Sequence, residues 1–222
     1  EMSVREVALG VALLMTGYLA TAQERKGIPD VSSTFKGDLA LPVPVGNPLF
    51  NSITESIGQL GAAIQFPVYK GLGLGAGGSM TWFGIKARAL APYVTSGDIR
   101  RATYFGKLSY EEYTGPRTFY EFNMRIGLAS FVFDCPTCPD QNKSALFWAV
   151  GTGYFIHASD NLAFGLTISY DTQNTRFMSS DLGIEGFPGR KETEEARNFQ
   201  NLVFGMGFST RLRKSDDGPR GW

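Results

Sequence analysis

The chain has 222 residues with 21 Lys+Arg against 21 Asp+Glu, a length that fits one domain and a balance that gives nucleic-acid binding no footing. Its mean hydropathy is −0.10, and no long apolar run follows Leu19, which excludes helical membrane spans beyond that point. Glycine (27 residues) and aromatics (13%) are both high, as expected where a sheet must curve and where aromatic rings mark an interface.

The uncharged run Val7 to Leu19, preceded by Arg5 and followed by Ala20-Thr21-Ala22, has the layout of a secretory signal with a small-x-small cleavage site. Residues 1–22 are therefore expected to be removed, leaving a mature chain that begins near Gln23 with a short segment to residue 33.

From Thr34 to Lys214 the pattern changes to eight stretches in which bulky apolar residues occupy every second position. The first sets Phe35, Leu39, Leu41 and Val43 against Lys36 and Asp38. In the second, Leu60, Ala62, Ile64, Phe66 and Val68 oppose Gln59, Gly61 and Gln65. The third sets Leu72, Leu74, Met80 and Trp82 against Gly75, Ser79 and Thr81, and the fourth Tyr104, Leu108 and Tyr110 against Thr103, Lys107, Ser109 and Glu111. The fifth is the cleanest: Tyr120, Phe122, Met124, Ile126 and Leu128 alternate with Glu121, Asn123, Arg125, Gly127 and Ala129. A helix could not sort them this way. In the sixth, Leu146, Trp148, Val150, Tyr154 and Ile156 face away from Ala149, Gly151, Gly153 and His157, with Phe147 and Phe155 interrupting the polar face. The seventh opposes Leu162, Phe164, Leu166, Ile168 and Tyr170 to Ala163, Gly165, Thr167, Ser169 and Asp171. The eighth opposes Leu202, Phe204, Met206, Phe208 and Leu212 to Gly205, Gly207, Ser209 and Arg211.

The joints alternate between tight and long. Tyr69-Lys70-Gly71, Thr114-Gly115-Pro116-Arg117 and Ala158-Ser159-Asp160-Asn161 carry turn chemistry, whereas about Gly46 to Ser56, Lys86 to Arg101, Asp134 to Lys143 and Thr172 to Asn198 are longer. This layout predicts an all-β fold, an eight-stranded antiparallel up-and-down transmembrane β-barrel over residues 34–214 with a C-terminal tail at 215–222. The small and charged face suits a narrow lumen, and the large apolar face suits lipid. Lumen charges would be Lys36, Asp38, Lys107, Glu111, Glu121, Arg125, Asp171 and Arg211, four of each sign, arranged as a salt-bridged plug. Short turns on the periplasmic side put both termini there. Trp82, Tyr104, Trp148 and Tyr170 then come to the outer ends of their strands and Phe66, Tyr110, Tyr120 and Tyr154 to the inner ends, as two aromatic girdles.

On these features the chain resembles the eight-stranded outer-membrane barrels of the OmpX/OmpA transmembrane type from Gram-negative bacteria. The last strand, Asn201 to Leu212, is similar to the β-signal read by barrel assembly machinery, although Arg213 to Trp222 follow it where such barrels often end on an aromatic. The resemblance implies an outer-membrane address with lipid and lipopolysaccharide as surroundings, and the expected state is a monomer. Some such barrels modify lipid A with a His and a Ser at the outer-leaflet end. Here the single histidine, His157, sits at the opposite end beside Ser159, which points to a structural role. Cys135-Pro136-Thr137-Cys138, in the third long loop, reads as a local disulfide, because zinc would need two more ligands and a redox site a helix N-terminus. The fourth loop carries Arg176, Asp181, Glu185, Arg190, Lys191, Glu192, Glu194, Glu195 and Arg197, a charge mixture that reads as a solvated contact surface. The expectation is a structural or interaction barrel with a closed lumen, no catalysis, no metal and no cofactor. Two alternatives stand beside it: a small pore or lipid A-modifying enzyme, and a soluble lipocalin-like barrel that binds an apolar ligand.

Overall fold

The computed structural model describes residues 31–94, 96–139, 142–189 and 198–212. Its strands are β1 (Thr34–Pro44), β2 (Thr54–Tyr69), β3 (Leu72–Ile85), β4 (Asp98–Tyr113), β5 (Thr118–Asp134), β6 (Lys143–His157), β7 (Leu162–Arg176) and β8 (Asn198–Arg211). Each pairs antiparallel with its neighbours in the chain, and β1 closes on β8, so the eight form an up-and-down closed barrel as the alternation predicts. The expected signal segment at 1–22, residues 23–30, the tail at 215–222 and the loop charges Arg190, Lys191, Glu192, Glu194, Glu195 and Arg197 lie outside the described residues.

The tight joints fall where turn residues stand. Between β2 and β3, Lys70 (φ 36°) and Gly71 (φ 86°) both hold positive φ, the backbone of a two-residue hairpin turn that matches strand twist. Thr114 and Gly115 donate to the Thr118 carbonyl at 2.9 and 3.3 Å, and Ala158 donates to that of Leu162 at 2.9 Å. All three joints lie at one end of the barrel with Thr34 and Arg211, and the long loops occupy the other.

Side-chain direction follows the period of two. Along β5, Phe122, Met124, Ile126 and Leu128 are exposed on the outside, while Glu121 and Ala129 are buried within. Toward the loop end the polarity inverts: Ile99, Phe133 and Phe199 turn inward, and Arg100 and Asp134 turn outward. This inversion explains a correction to the loop boundaries. A reading keyed to apolar residues outside stops where that rule stops, yet the ladder continues, so β4 begins at Asp98 ahead of Arg101, β7 runs past Thr172 to Arg176, and β2 starts at Thr54.

One seam in the wall is short. The β1–β2 ladder ends at Ala40 opposite Gln59, although β1 continues along β8 to Pro44. Val45 N–H bonds to Gln200 O at 2.9 Å, so odd-numbered residues of β1 bond to β8 and even-numbered ones face β2. Pro42 and Pro44 fall on the β2-facing edge and have no N–H to extend that ladder.

Candidate functional site: a layered lumen

The barrel interior is filled in layers. At the loop end lies an apolar cap that the sequence pattern did not reveal. Helix α1 (Pro48–Ile53) begins with Asn47, whose side chain accepts from Phe50 N–H at 3.0 Å, and ends where Thr54 Oγ1 donates to Phe50 O at 2.6 Å. These bonds turn Leu49, Phe50 and Ile53 into the mouth, where all three are buried. The Phe50 ring meets Phe83, Phe177 and Phe199 edge to face at 5.1, 5.3 and 4.8 Å, and Phe131 stacks on Phe199 at 4.6 Å. A second helix, α2 (Ala87–Leu90), adds Leu90, and the fourth loop adds Phe177, Leu182, Ile184 and Phe187. The loops expected to be polar contact surface thus bury an apolar inner side. Cys135 and Cys138 are joined in a disulfide (S–S 2.07 Å), and the turn they close docks on the fourth loop. Thr137 Oγ1 donates to Leu182 O at 2.8 Å, and Lys143 Nζ pairs with Asp181 at 2.8 Å. At Gly183 (φ 68°), a Cβ would stand 1.8 Å from the Thr137 carbonyl oxygen, so this close approach requires glycine.

Beneath the cap, Arg101 spans the lumen. Its side chain is 1% exposed and reaches from β4 to Asp171 on β7, with Nη1–Oδ1 at 3.3 Å and Nη2–Oδ2 at 3.0 Å. The same Nη2 donates to Gln59 Oε1 and Thr81 Oγ1, both at 3.1 Å, while Asn201 and Gln173 donate to Asp171 at 2.7 and 3.0 Å. This is the forked recognition for which arginine is suited. Asp171 was among the expected lumen charges; Arg101 was not, having been left in the second loop. The signal was available, since Arg101, Thr103, Phe105, Lys107, Ser109 and Glu111 share one parity on β4.

Further toward the turn end, Lys36 on β1 contacts both Glu111 on β4 and Glu121 on β5, and Lys107 pairs with Glu121 at 2.8 Å. Gln65 and Asn123 add donors to Glu111 and Glu121 at 2.6 and 2.9 Å. All four charged side chains are buried, and each has an opposite charge beside it, as burial demands. The remaining expected charges behave differently. Asp38 and Arg125 line a cavity of about 70 Å³ without forming an ion pair among the described residues, Arg125 lying instead 5.5 Å from the centre of the Phe105 ring. Arg211 bonds to Tyr113 Oη at 3.3 Å.

An aromatic floor closes the turn end. Tyr113, Phe119 and Phe155 pack there with Ala163, and His157 stacks on Tyr113 at 5.9 Å and bonds to its hydroxyl through Nε2 at 3.2 Å. Phe155, which interrupted the polar face in the alternation, belongs to this floor, and Phe147 belongs to the cap.

Outside, Trp82, Tyr104, Trp148 and Tyr170 share the apolar face with Phe66, Tyr110, Tyr120 and Tyr154, and Trp148 and Tyr170 lie 5.9 Å apart. No helix among the described residues is long and apolar enough to cross a membrane, a test that leaves strand-based crossing untouched. A closed eight-stranded barrel with an apolar belt outside and ion pairs inside has the architecture of a transmembrane β-barrel, and the reverse polarity of a soluble ligand-binding barrel.

Comparison with a known structure supports that fold. The chain is similar to Neisserial surface protein A at 12% identity, with 81% of this chain and 97% of that one covered and a TM-score of 0.52. It also matches the outer-membrane protein OprG of Pseudomonas aeruginosa (11% identity, 84% and 99% covered, TM-score 0.45) and Ail of Yersinia pestis (11% identity, 80% and 97% covered, TM-score 0.44). No family model matches the chain, and no curated protein matches its sequence.

Proposed function

We propose that this chain is a closed, non-catalytic barrel of a Gram-negative outer membrane, with both termini in the periplasm and its long loops displayed outside. Lipid and lipopolysaccharide would surround the apolar belt, and assembly machinery would read the last strand during insertion of a single copy. The observation that supports this reading best is the filling of the lumen by four successive layers: the Phe50 cap, the Arg101–Asp171 bridge, the Lys36–Glu111–Glu121–Lys107 cluster and the Tyr113 floor. A cavity of about 70 Å³ lined by Asp38 and Arg125 lies among these layers and has room for a few waters. His157 is engaged by a phenol in the floor, an arrangement that supports packing and not acyl transfer.

The reading is tested in planar bilayers and on gels. The refolded chain is expected to show heat-modifiable migration and no steady conductance; currents of porin size would contradict the closed lumen.

A further inference from the structure

Two charges of opposite sign share the lumen cavity and do not meet. Asp38 stands on β1 and Arg125 on β5, strands four apart in a closed ring of eight and therefore on opposite sides of the lumen. Lys36 and Glu121 join the same two strands by direct contact. Asp38 carries a shorter side chain than a glutamate, and it rests against bare backbone of β2, where a Cβ at Gly61 would stand 2.3 Å from Oδ1. Arg125 is held on the far wall over the Phe105 ring. Among the described residues neither charge has an ion pair or a hydrogen bond, and both line the cavity of about 70 Å³.

The rest of the lining is built for a hydrogen-bonding occupant. Thr152, Thr167 and Ser169 border the cavity, and among the described residues their hydroxyls have no hydrogen-bond partner. Gln59, which serves the Arg101 bridge, borders it on one side, and Lys107 and Glu121 of the lower cluster border it on the other. A charge taken out of bulk solvent needs a partner, and a polar gap too wide for a direct bond is one that water can span. About 10–15 Å³ suffices for one water with two to four polar partners, so several fit here.

We propose that this cavity binds a resident cluster of water that joins Arg125 to Asp38 as a solvent-separated ion pair and links the two ionic layers into one hydrogen-bonded network. The proposal rests on the closed-lumen reading above and gives that lumen a hydrated centre between its dry ends.

The test uses the full chain in phospholipid nanodiscs, with protonated methyl groups in a deuterated background. Magnetisation passed from water should reach the methyls of Ala40 and Val203, which line the cavity and carry no exchanging proton of their own. Laboratory-frame and rotating-frame Overhauser peaks of opposite sign are expected there, the mark of held water, with none on Leu49 and Leu182 in the cap. A second measurement reads the bridge itself through reversible urea unfolding of Arg125→Gln, Asp38→Asn and the double variant. Arg125→Gln should lower the folding constant at least about threefold more with Asp38 present than in the Asp38→Asn background. Absence of water peaks at Ala40 and Val203, or equal effects of Arg125→Gln in both backgrounds, would overturn the water-bridged pair and leave the lumen closed. Water peaks on the cap methyls as well would overturn the closed lumen together with the site.

Discussion

Replacing Arg101 with methionine removes the group that ties β4 to β7 across the lumen. The guanidinium makes two bonds to Asp171 and one each to Gln59 and Thr81, at 3.0 to 3.3 Å, with its side chain 1% exposed. Breaking a buried pair by deleting one partner costs about 3–5 kcal/mol, since the other charge is left without compensation. Asp171 keeps donors from Asn201 and Gln173, so the lower end applies. We predict a loss of about 3 kcal/mol for Arg101→Met, roughly two decades in the folding constant at about 1.4 kcal/mol per decade. Arg101→Lys keeps the charge but not the fork and should lose about 1–2 kcal/mol. The double variant Arg101→Met with Asp171→Asn removes both charges, and should recover a large part of the loss. Reversible urea unfolding in phosphatidylcholine vesicles, followed by the fluorescence of Trp82 and Trp148 on the lipid-facing side, measures all four proteins. An Arg101→Met variant within about 0.5 kcal/mol of wild type, or a double variant less stable than that single one, would refute the reasoning.

Three further outcomes follow from the layers and the wall. Phe50→Ala empties the centre of the cap and should cost about 3–5 kcal/mol in the same unfolding assay, while planar-bilayer recordings stay silent because the Arg101 layer still spans the lumen. Gly127→Ala should cost about 2 kcal/mol or more and reduce the folded band on gels, because its Cβ would stand 1.9 Å from Tyr104 O; Gly58→Ala, whose nearest atom is Ala40 O at 3.8 Å, should stay within about 0.5 kcal/mol. Replacing Cys135 and Cys138 with serine should leave the barrel's unfolding midpoint nearly unchanged, since the loop they close is short, and should raise protease cleavage between Phe177 and Phe187.

The alternation made the strands legible because lipid outside and a narrow polar interior impose opposite demands on successive side chains. Lys36, Lys107, Glu111 and Glu121 could be read as inward from parity alone, and the structure brings them into one cluster. Their partners were less legible, because parity fixes the side of the wall a residue faces and leaves open which strand it meets across the lumen. Arg101 was missed because it lies near the level where Arg100 replaces an apolar outward residue and the usual alternation ends. The cap left even less trace. Leu49, Phe50, Leu90 and Leu182 stand in loops without periodicity, and they become neighbours only once the closed barrel gathers four loops over one mouth.

The central claim is that this sheet is closed with its apolar face to lipid and its charges within. Single spin labels at consecutive positions from 122 to 129 of β5, in lipid vesicles, test it most directly through collision with membrane-dissolved oxygen. The account predicts high oxygen accessibility at Phe122, Met124, Ile126 and Leu128 and low accessibility at Asn123, Arg125, Gly127 and Ala129. Uniform accessibility along the strand, or the same alternation with its sign reversed, would contradict it.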